Sequence, residues 1–161
     1  MKNLLDMTID ELSAGLEETG HPAFCAKQIA TWVYRKGVYD FDKMTDLSAG
    51  LRAVLRDKLA ILTAKVVTRS DTGDGVTKLL LEFPDAQRVE TVLIPADGRA
   101  TACVSTQVGC AVGCTFCASG ADGFKRNLTS GEIVEQILQL QLAAGTKITH
   151  VVFMGMGEPL A

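Results

Sequence analysis

Three cysteines fall within eight residues, in the stretch Cys110-Ala-Val-Gly-Cys114-Thr-Phe-Cys117. A C-x3-C-x2-C array of this length can wrap three thiolates around three corners of an Fe4S4 cube. One iron is then left without a cysteine, and an open iron site can chelate the amino and carboxylate groups of a cofactor. A fourth thiolate would instead close the cube into a simple electron carrier, so the spacing points to chemistry rather than to storage. Gly109, Gly113 and Gly120 let the backbone turn tightly around such a cube, and backbone amides near its sulfides tune its potential. Phe116, beside the last ligand, would shield it from water. Two other readings stay open: a zinc site completed by Cys103 or Cys25, or buried thiols with no metal. Structural zinc sites usually come as two C-x2-C pairs, and one such pair is present here.

A second candidate follows the apolar run Ile148 to Met154, where Gly155-Met156-Gly157-Glu158-Pro159 brings two glycines and a carboxylate together. At the C-terminal edge of a parallel sheet this is where α/β folds bind ligands. Glycine and proline after a strand mark a loop in most proteins, so the turn alone says little. Coupled to the cysteine loop one βα unit earlier, Gly157 and Glu158 read as a clamp for the methionyl amine of S-adenosylmethionine (SAM).

These loops need elements to hold them. Thr8 and Glu11 have capping-box spacing, and Ile9, Leu12 and Leu16 recur at helical intervals, predicting a helix over about residues 8–19. Pro22 and Gly37 bracket a second helix carrying Ala26, Ile29, Ala30 and Val33. Ser48 caps a third, with Leu51, Val54, Leu55 and Leu59 inward. From Thr63 the period changes: Val66-Val67, Val76–Phe83, Val89–Ile94 and Ala100–Ser105 read as strands between Asp-Gly and Pro-Asp turns. After the cysteine loop come a helix over about 130–143 and a strand over 148–154. Strand, loop, helix, strand, loop is the grammar of a parallel α/β unit.

The expected organisation is therefore an α/β chain: a helical module over 1–60, a β-rich connecting region over 61–99, and the start of a parallel α/β domain, closed or open, over 100–161. With at most one and a half βα units, that last domain is expected to be incomplete. At 47% hydrophobic and 22% charged, the composition is that of a globular chain. No stretch approaches the roughly 20 apolar residues that span a bilayer, and clustered cysteines suit a reducing compartment, so no membrane association and a cytoplasmic location are expected. A net charge of −3 argues against indiscriminate nucleic-acid binding, yet Lys27, Arg35 and Lys36 form a local basic run. His21 and His150 are assigned to structure.

The cysteine loop followed about 40 residues later by Gly-Glu-Pro resembles the radical SAM superfamily. Four stretches narrow this: Val89-Glu-Thr-Val-Leu-Ile-Pro95, Cys103-Val-Ser-Thr-Gln-Val-Gly-Cys110, Gly123-Phe-Lys-Arg-Asn-Leu128 and Met154-Gly-Met-Gly-Glu-Pro-Leu160. In this order they are similar to the RlmN/Cfr family of RNA adenine methyltransferases, over nearly the whole chain and more like its C2-methylating branch. The resemblance implies a partial (β/α) barrel and a [4Fe-4S] cluster on Cys110, Cys114 and Cys117. It implies SAM as cofactor, with Gly157 and Glu158 in its site.

The adenine carbon at issue is electron-poor and cannot attack a methyl cation equivalent, so a radical route is expected. By the same resemblance Glu90 is the general base that takes the proton from that carbon, with a raised pKa if it is buried. Cys103 is the thiol that resolves a protein–RNA adduct through a transient disulfide with a methyl-carrying cysteine. No position here can stand in for that cysteine, so this polypeptide alone is expected to be inactive. 23S rRNA and tRNA are the implied partners, a flavodoxin-like protein the implied electron donor, and the full-length protein is expected to be monomeric. Residues 1–60 resemble an RNA-binding accessory module, and Lys125-Arg126-Asn127 is a candidate phosphate contact.

Overall fold

The computed structural model describes residues 1–121 and 123–161, in two compact units, Met1–Thr63 and Ala64–Ala161. Among the described residues no helix is long and apolar enough to cross a membrane.

In the first unit, α1 (Ile9–Glu18) starts at the expected capping box: Thr8 Oγ1 accepts from the Glu11 amide at 3.2 Å, and Glu11 Oε2 accepts from the Thr8 amide at 2.8 Å. The second helix differs from expectation at both ends. Pro22 lies in a turn, with the Cys25 amide donating to its carbonyl, and α2 covers only Cys25–Ala30 before five π-wound residues, Thr31–Arg35. The Thr31 hydroxyl donates to the Lys27 carbonyl at 2.8 Å, alongside the Thr31 amide's own bond to it. α3 (Ala49–Lys58) is capped by Ser48, whose Oγ accepts from the Leu51 amide. A short parallel pair, β1 (Lys2–Asn3) with β2 (Leu59–Ala60), ties the two ends of the unit together. Leu12, Leu16, Ile29, Val33, Met44, Leu51 and Leu55 fill its core.

The second unit is a five-stranded sheet of order β3 (Lys65–Asp71), β4 (Thr77–Glu82), β5 (Arg88–Ala96), β6 (Arg99–Cys103), β9 (His150–Val152). The first four strands are antiparallel, and β9 runs parallel to β6 after a crossover through α4 (Ser130–Ala144), the predicted βαβ unit. A capping box of Thr129 and Glu132 opens α4, and Gly145 closes it in the left-handed region at φ 63°. The stretch expected as a separate connecting region is part of this unit, because the β4–β5 and β5–β6 ladders run directly into β6.

Period-two alternation buries Leu79 and Leu81 of β4, Val89, Thr91 and Leu93 of β5, and Ala102 of β6, together with Leu140 of α4. At about 25 cal/mol per Å² of apolar surface, each such leucine contributes on the order of 2 kcal/mol. α4 packs on β4 and β5, so the residues that alternate with this set face away from the core.

Candidate functional site

The cysteine loop is closed at its base by a two-stranded antiparallel ladder, β7 (Gln107–Val108) with β8 (Arg126–Asn127). The Lys125 amide adds a bond to the Val108 carbonyl at 2.9 Å, and the Leu128 amide one to the Thr106 carbonyl at 2.9 Å. Gly109 has φ 76°, and a side chain on it would run into the Gly123 carbonyl, so the two strands of the loop cross at a point where only glycine fits. Beyond the crossing, Cys110 is half-buried and Cys114 and Cys117 are exposed; none of the chain's five cysteines is in a disulfide. Hydrogen bonds from Ser119, through its amide and its hydroxyl, hold the Cys117 thiol below the usual thiol range. Phe116, beside Cys117, is 91% exposed.

The Gly-Met-Gly-Glu-Pro turn packs directly on the segment that leads into this loop. The amides of Thr106 and Gln107 donate to the Met156 carbonyl at 2.9 and 3.2 Å, and the Gly155 amide donates to the Val104 carbonyl at 3.1 Å. Two side chains of residues 105–107 complete the attachment: Ser105 Oγ accepts from the Met156 amide at 2.9 Å, and Gln107 Oε1 from the Glu158 amide at 3.2 Å. The approach is so close that a Cβ on Gly157 would lie 2.6 Å from Gln107 Cβ. Glu158, Gln107, Asn127, Thr106 and Phe153 line an open cleft of about 400 Å³ between turn and loop base. Thr106 Oγ1, on this cleft, is buried and finds no hydrogen-bond partner among the described residues.

Ser105, Gln107 and Gln136 were not candidates from sequence. Gln136 is fully buried on α4; its Oε1 accepts from the Ser105 amide at 2.8 Å and its Nε2 donates to the Ser105 carbonyl at 2.9 Å. The Ser105 hydroxyl in turn donates to the Glu90 carbonyl at 2.7 Å. The local signal is faint: a glutamine amid Ile133, Ile137, Leu138 and Leu140 on a core-facing helix needs a buried partner, but sequence does not say which.

Glu90 and Cys103 share the sheet face opposite α4. Val92 is in register with Cys103, and Glu90 lies two residues along the same strand, on the same face. Glu90 is not buried: its side chain is 49% exposed and pairs with Lys78 Nζ at 3.0 Å. The cause is the pleat, which turns Val89, Thr91 and Leu93 inward and Glu90 out. Cys103 is half-buried, and burial pushes its thiol up, against a weaker opposing hydrogen bond from the Met154 backbone.

Arg126 is not available to an RNA phosphate as expected. Its guanidinium is held by Glu132 at 2.7 and 2.8 Å and by Asp85 at 2.7 Å, and it lies over the Phe83 ring. Lys125 is exposed. The basic run of the first unit is exposed at Lys36, which stacks over Trp32 at 3.4 Å, and at Arg35, next to a half-exposed Tyr34.

Residues 2–61 match the model of the ribosomal RNA large subunit methyltransferase N-terminal domain. A probable dual-specificity RNA methyltransferase RlmN of Thermotoga neapolitana is 52% identical over 99% of this chain and 47% of its own length. One of Rhodopirellula baltica is 48% identical over 99% of this chain and 43% of its own. The crystal structure of a radical SAM methyltransferase from Sphaerobacter thermophilus superposes with a TM-score of 0.92 at 44% identity, covering 99% of this chain and 48% of that one. Over 99% of its length the chain is similar to proteins named RNA methyltransferase RlmN and to a radical SAM methyltransferase. It spans about half the length of the curated relatives it matches.

The donor set suits the [4Fe-4S] cluster and SAM that similarity to a radical SAM methyltransferase implies. Among the described residues no three His, Cys, Asp or Glu side chains converge on a single ion, whereas a cube takes its thiolates on separate iron corners. Cys110, Cys114 and Cys117 are three reduced thiols on one tethered loop, and the neighbouring cleft offers the Glu158 carboxylate and an orphaned Thr106 hydroxyl to a polar ligand.

Proposed function

We propose that this chain belongs to a cytoplasmic radical SAM enzyme that methylates C2 of adenine in 23S rRNA and tRNA. The observation that carries the reading is the join between the Gly-Met-Gly-Glu-Pro turn and the base of the three-cysteine loop through residues 104–107. In this reading Cys110, Cys114 and Cys117 hold a [4Fe-4S] cluster, and Gly157 and Glu158 receive the methionyl end of SAM. Bound there, cluster and SAM supply the electron and the radical chemistry that an electron-poor ring carbon requires.

The chain's own residues have narrower tasks. Glu158 accepts hydrogen bonds from an ammonium group and so orients it; Gly157, lacking a side chain, lets the backbone close on Gln107. Glu90 takes the proton from the adenine carbon at its carboxylate oxygen, for which it must leave Lys78. Cys103, on the same face, attacks as a thiolate the sulfur of a cysteine supplied from outside these residues and joined through a methylene to the adenine carbon; the S–S bond forms as the S–C bond breaks, and the electron pair stays with the methylene carbon, which takes a proton to become the methyl group. Its raised thiol favours a base at hand, and Glu90 is a carboxylate on the same face of the neighbouring strand. The first unit is the RNA-binding module, with Arg35, Lys36 and the aromatic rings beside them as backbone and stacking contacts. The electron donor is a flavodoxin-like protein and the full-length enzyme is monomeric.

Anaerobic reconstitution with iron and sulfide tests the reading, with spectra taken before and after SAM is added. A [4Fe-4S] spectrum perturbed by SAM is expected; zinc uptake in place of iron, or a cluster indifferent to SAM, overturns it. Methylation at adenine C2 by the complete reading frame, and its loss in Glu90→Gln and Cys103→Ala, tests the finer assignment.

A further inference from the structure

We propose that Gln107 is the positioning residue of this site, a bridge that fixes the Glu158 carboxylate relative to the cysteine loop. The inference rests on the SAM-binding reading of Glu158 above and deepens it. Gln107 is 3% exposed, and both ends of its amide are engaged: Oε1 accepts from the Glu158 amide at 3.2 Å, and Nε2 donates to Asn127 Oδ1 at 3.0 Å. Asn127 belongs to β8, the strand that closes the cysteine loop, and its Cα partner in that ladder is Gln107 itself. One side chain therefore spans from the loop base to the ligand-facing turn.

Backbone bonds hold the turn at Met156, but among the described hydrogen bonds the Gln107 side chain is what holds it at Glu158. Glu158 is half-buried and lines the cleft, and its own Oε1 accepts from the Leu160 amide at 3.1 Å. Without Gln107 the Glu158 backbone would be free to swing about Gly157, whose φ of 97° already lies where rotation meets no side chain of its own. A glutamine suits the task because it offers an acceptor and a donor on one planar group, where a carboxylate or a hydrocarbon would satisfy only one end or neither.

The test uses Gln107→Met, which keeps the volume packed against Gly157 and removes both hydrogen bonds, and Asn127→Ala at an exposed position that leaves the core intact. Amide hydrogen exchange on the chain without ligand is read first. In Gln107→Met the Glu158 amide is expected to exchange at least tenfold faster, with Leu79 and Leu81 unchanged. SAM binding to the anaerobically reconstituted protein is expected to weaken about tenfold in Gln107→Met and about threefold in Asn127→Ala, as loss of one or two neutral hydrogen bonds implies. Unchanged exchange at Glu158, or unchanged SAM affinity in both variants, overturns the proposal. Exchange that accelerates equally in the core also overturns it, since Gln107 would then be a packing residue. If the wild-type chain takes up no SAM, the ligand assignment of the site fails, and with it the functional half of this proposal, while the exchange data still decide whether the bridge exists.

Discussion

Substituting Gly157 by alanine should release the ligand-facing turn while leaving the second unit folded. At φ 97° a non-glycine residue costs about 1–3 kcal/mol. Its Cβ would also lie 2.6 Å from Gln107 Cβ and 2.8 Å from the Gln107 nitrogen, and relieving such overpacking costs about another 1–3 kcal/mol. Against this stand the bonds of Gly155, Met156 and Glu158 to residues 104–107, five in all. At about 0.5–1.5 kcal/mol each they hold the turn with about 2.5–7.5 kcal/mol. Penalty and restraint are of the same size, so detaching residues 155–158 competes with straining the whole sheet. Detachment wins because the core leucines of β4 and the inward face of β5 are not involved. Urea unfolding is expected to show a loss of about 2–5 kcal/mol, and amide exchange at Thr106, Gln107 and Glu158 should accelerate at least tenfold while Leu79 and Leu81 stay protected. A variant within about 0.5 kcal/mol of wild type, with those three amides still protected, would refute the reasoning.

Ser105→Ala should cost about 1–3 kcal/mol in urea unfolding, since it orphans the Met156 amide and the Glu90 carbonyl inside a fully buried site; a neutral result would mean that water replaces the hydroxyl. Asp85 is held below the usual carboxylate range by its hydrogen bond from Arg126, so the stability it contributes is present at neutral pH and disappears as pH falls through its lowered value. Asp85→Asn is therefore expected to be less stable than wild type by under about 1 kcal/mol at pH 7, the carboxylate being partly exposed, with the gap closing in acid below about pH 4. Timed alkylation of the reduced, metal-free chain, read by mass spectrometry, should label Cys114 and Cys117 first, Cys103 slowly and Cys25 last, following exposure and, at Cys103, a thiol pushed up by burial. Early labelling of Cys25 would contradict the packing of the first unit.

Local chemistry made much of this molecule legible in its sequence. Thr8 with Glu11 and Ser48 at α3 are caps whose partners lie three residues away, so spacing alone identifies them. The strand set and the βαβ crossover followed from period and turn residues. The inward face of β5 was harder, because Val89, Val92 and Leu93 fit no single alternation. The fold buries Thr91 instead of Val92, and Thr91 satisfies its hydroxyl by donating to the Cys103 carbonyl at 2.9 Å. That choice leaves Glu90 exposed. Ser105, Gln107 and Gln136 were invisible because the partners that fix them lie 15, 20, 31 or 51 residues away in sequence. Arg126 read as a solvent cation until Asp85, 41 residues earlier, was found beside it.

The tethering of the cysteine loop bears on the order in which the protein matures. Its neck is fastened by main-chain bonds among residues 106–108 and 125–128 and by a glycine crossing, all remote from the thiols themselves. Small metal-dependent domains draw their folding free energy from ligation and collapse under chelators; a hoop sewn shut by amides has no such debt. Inorganic loading can then follow translation at leisure, and a molecule stripped by oxygen should keep its shape and accept a fresh charge of iron and sulfide without passing through an unfolded state.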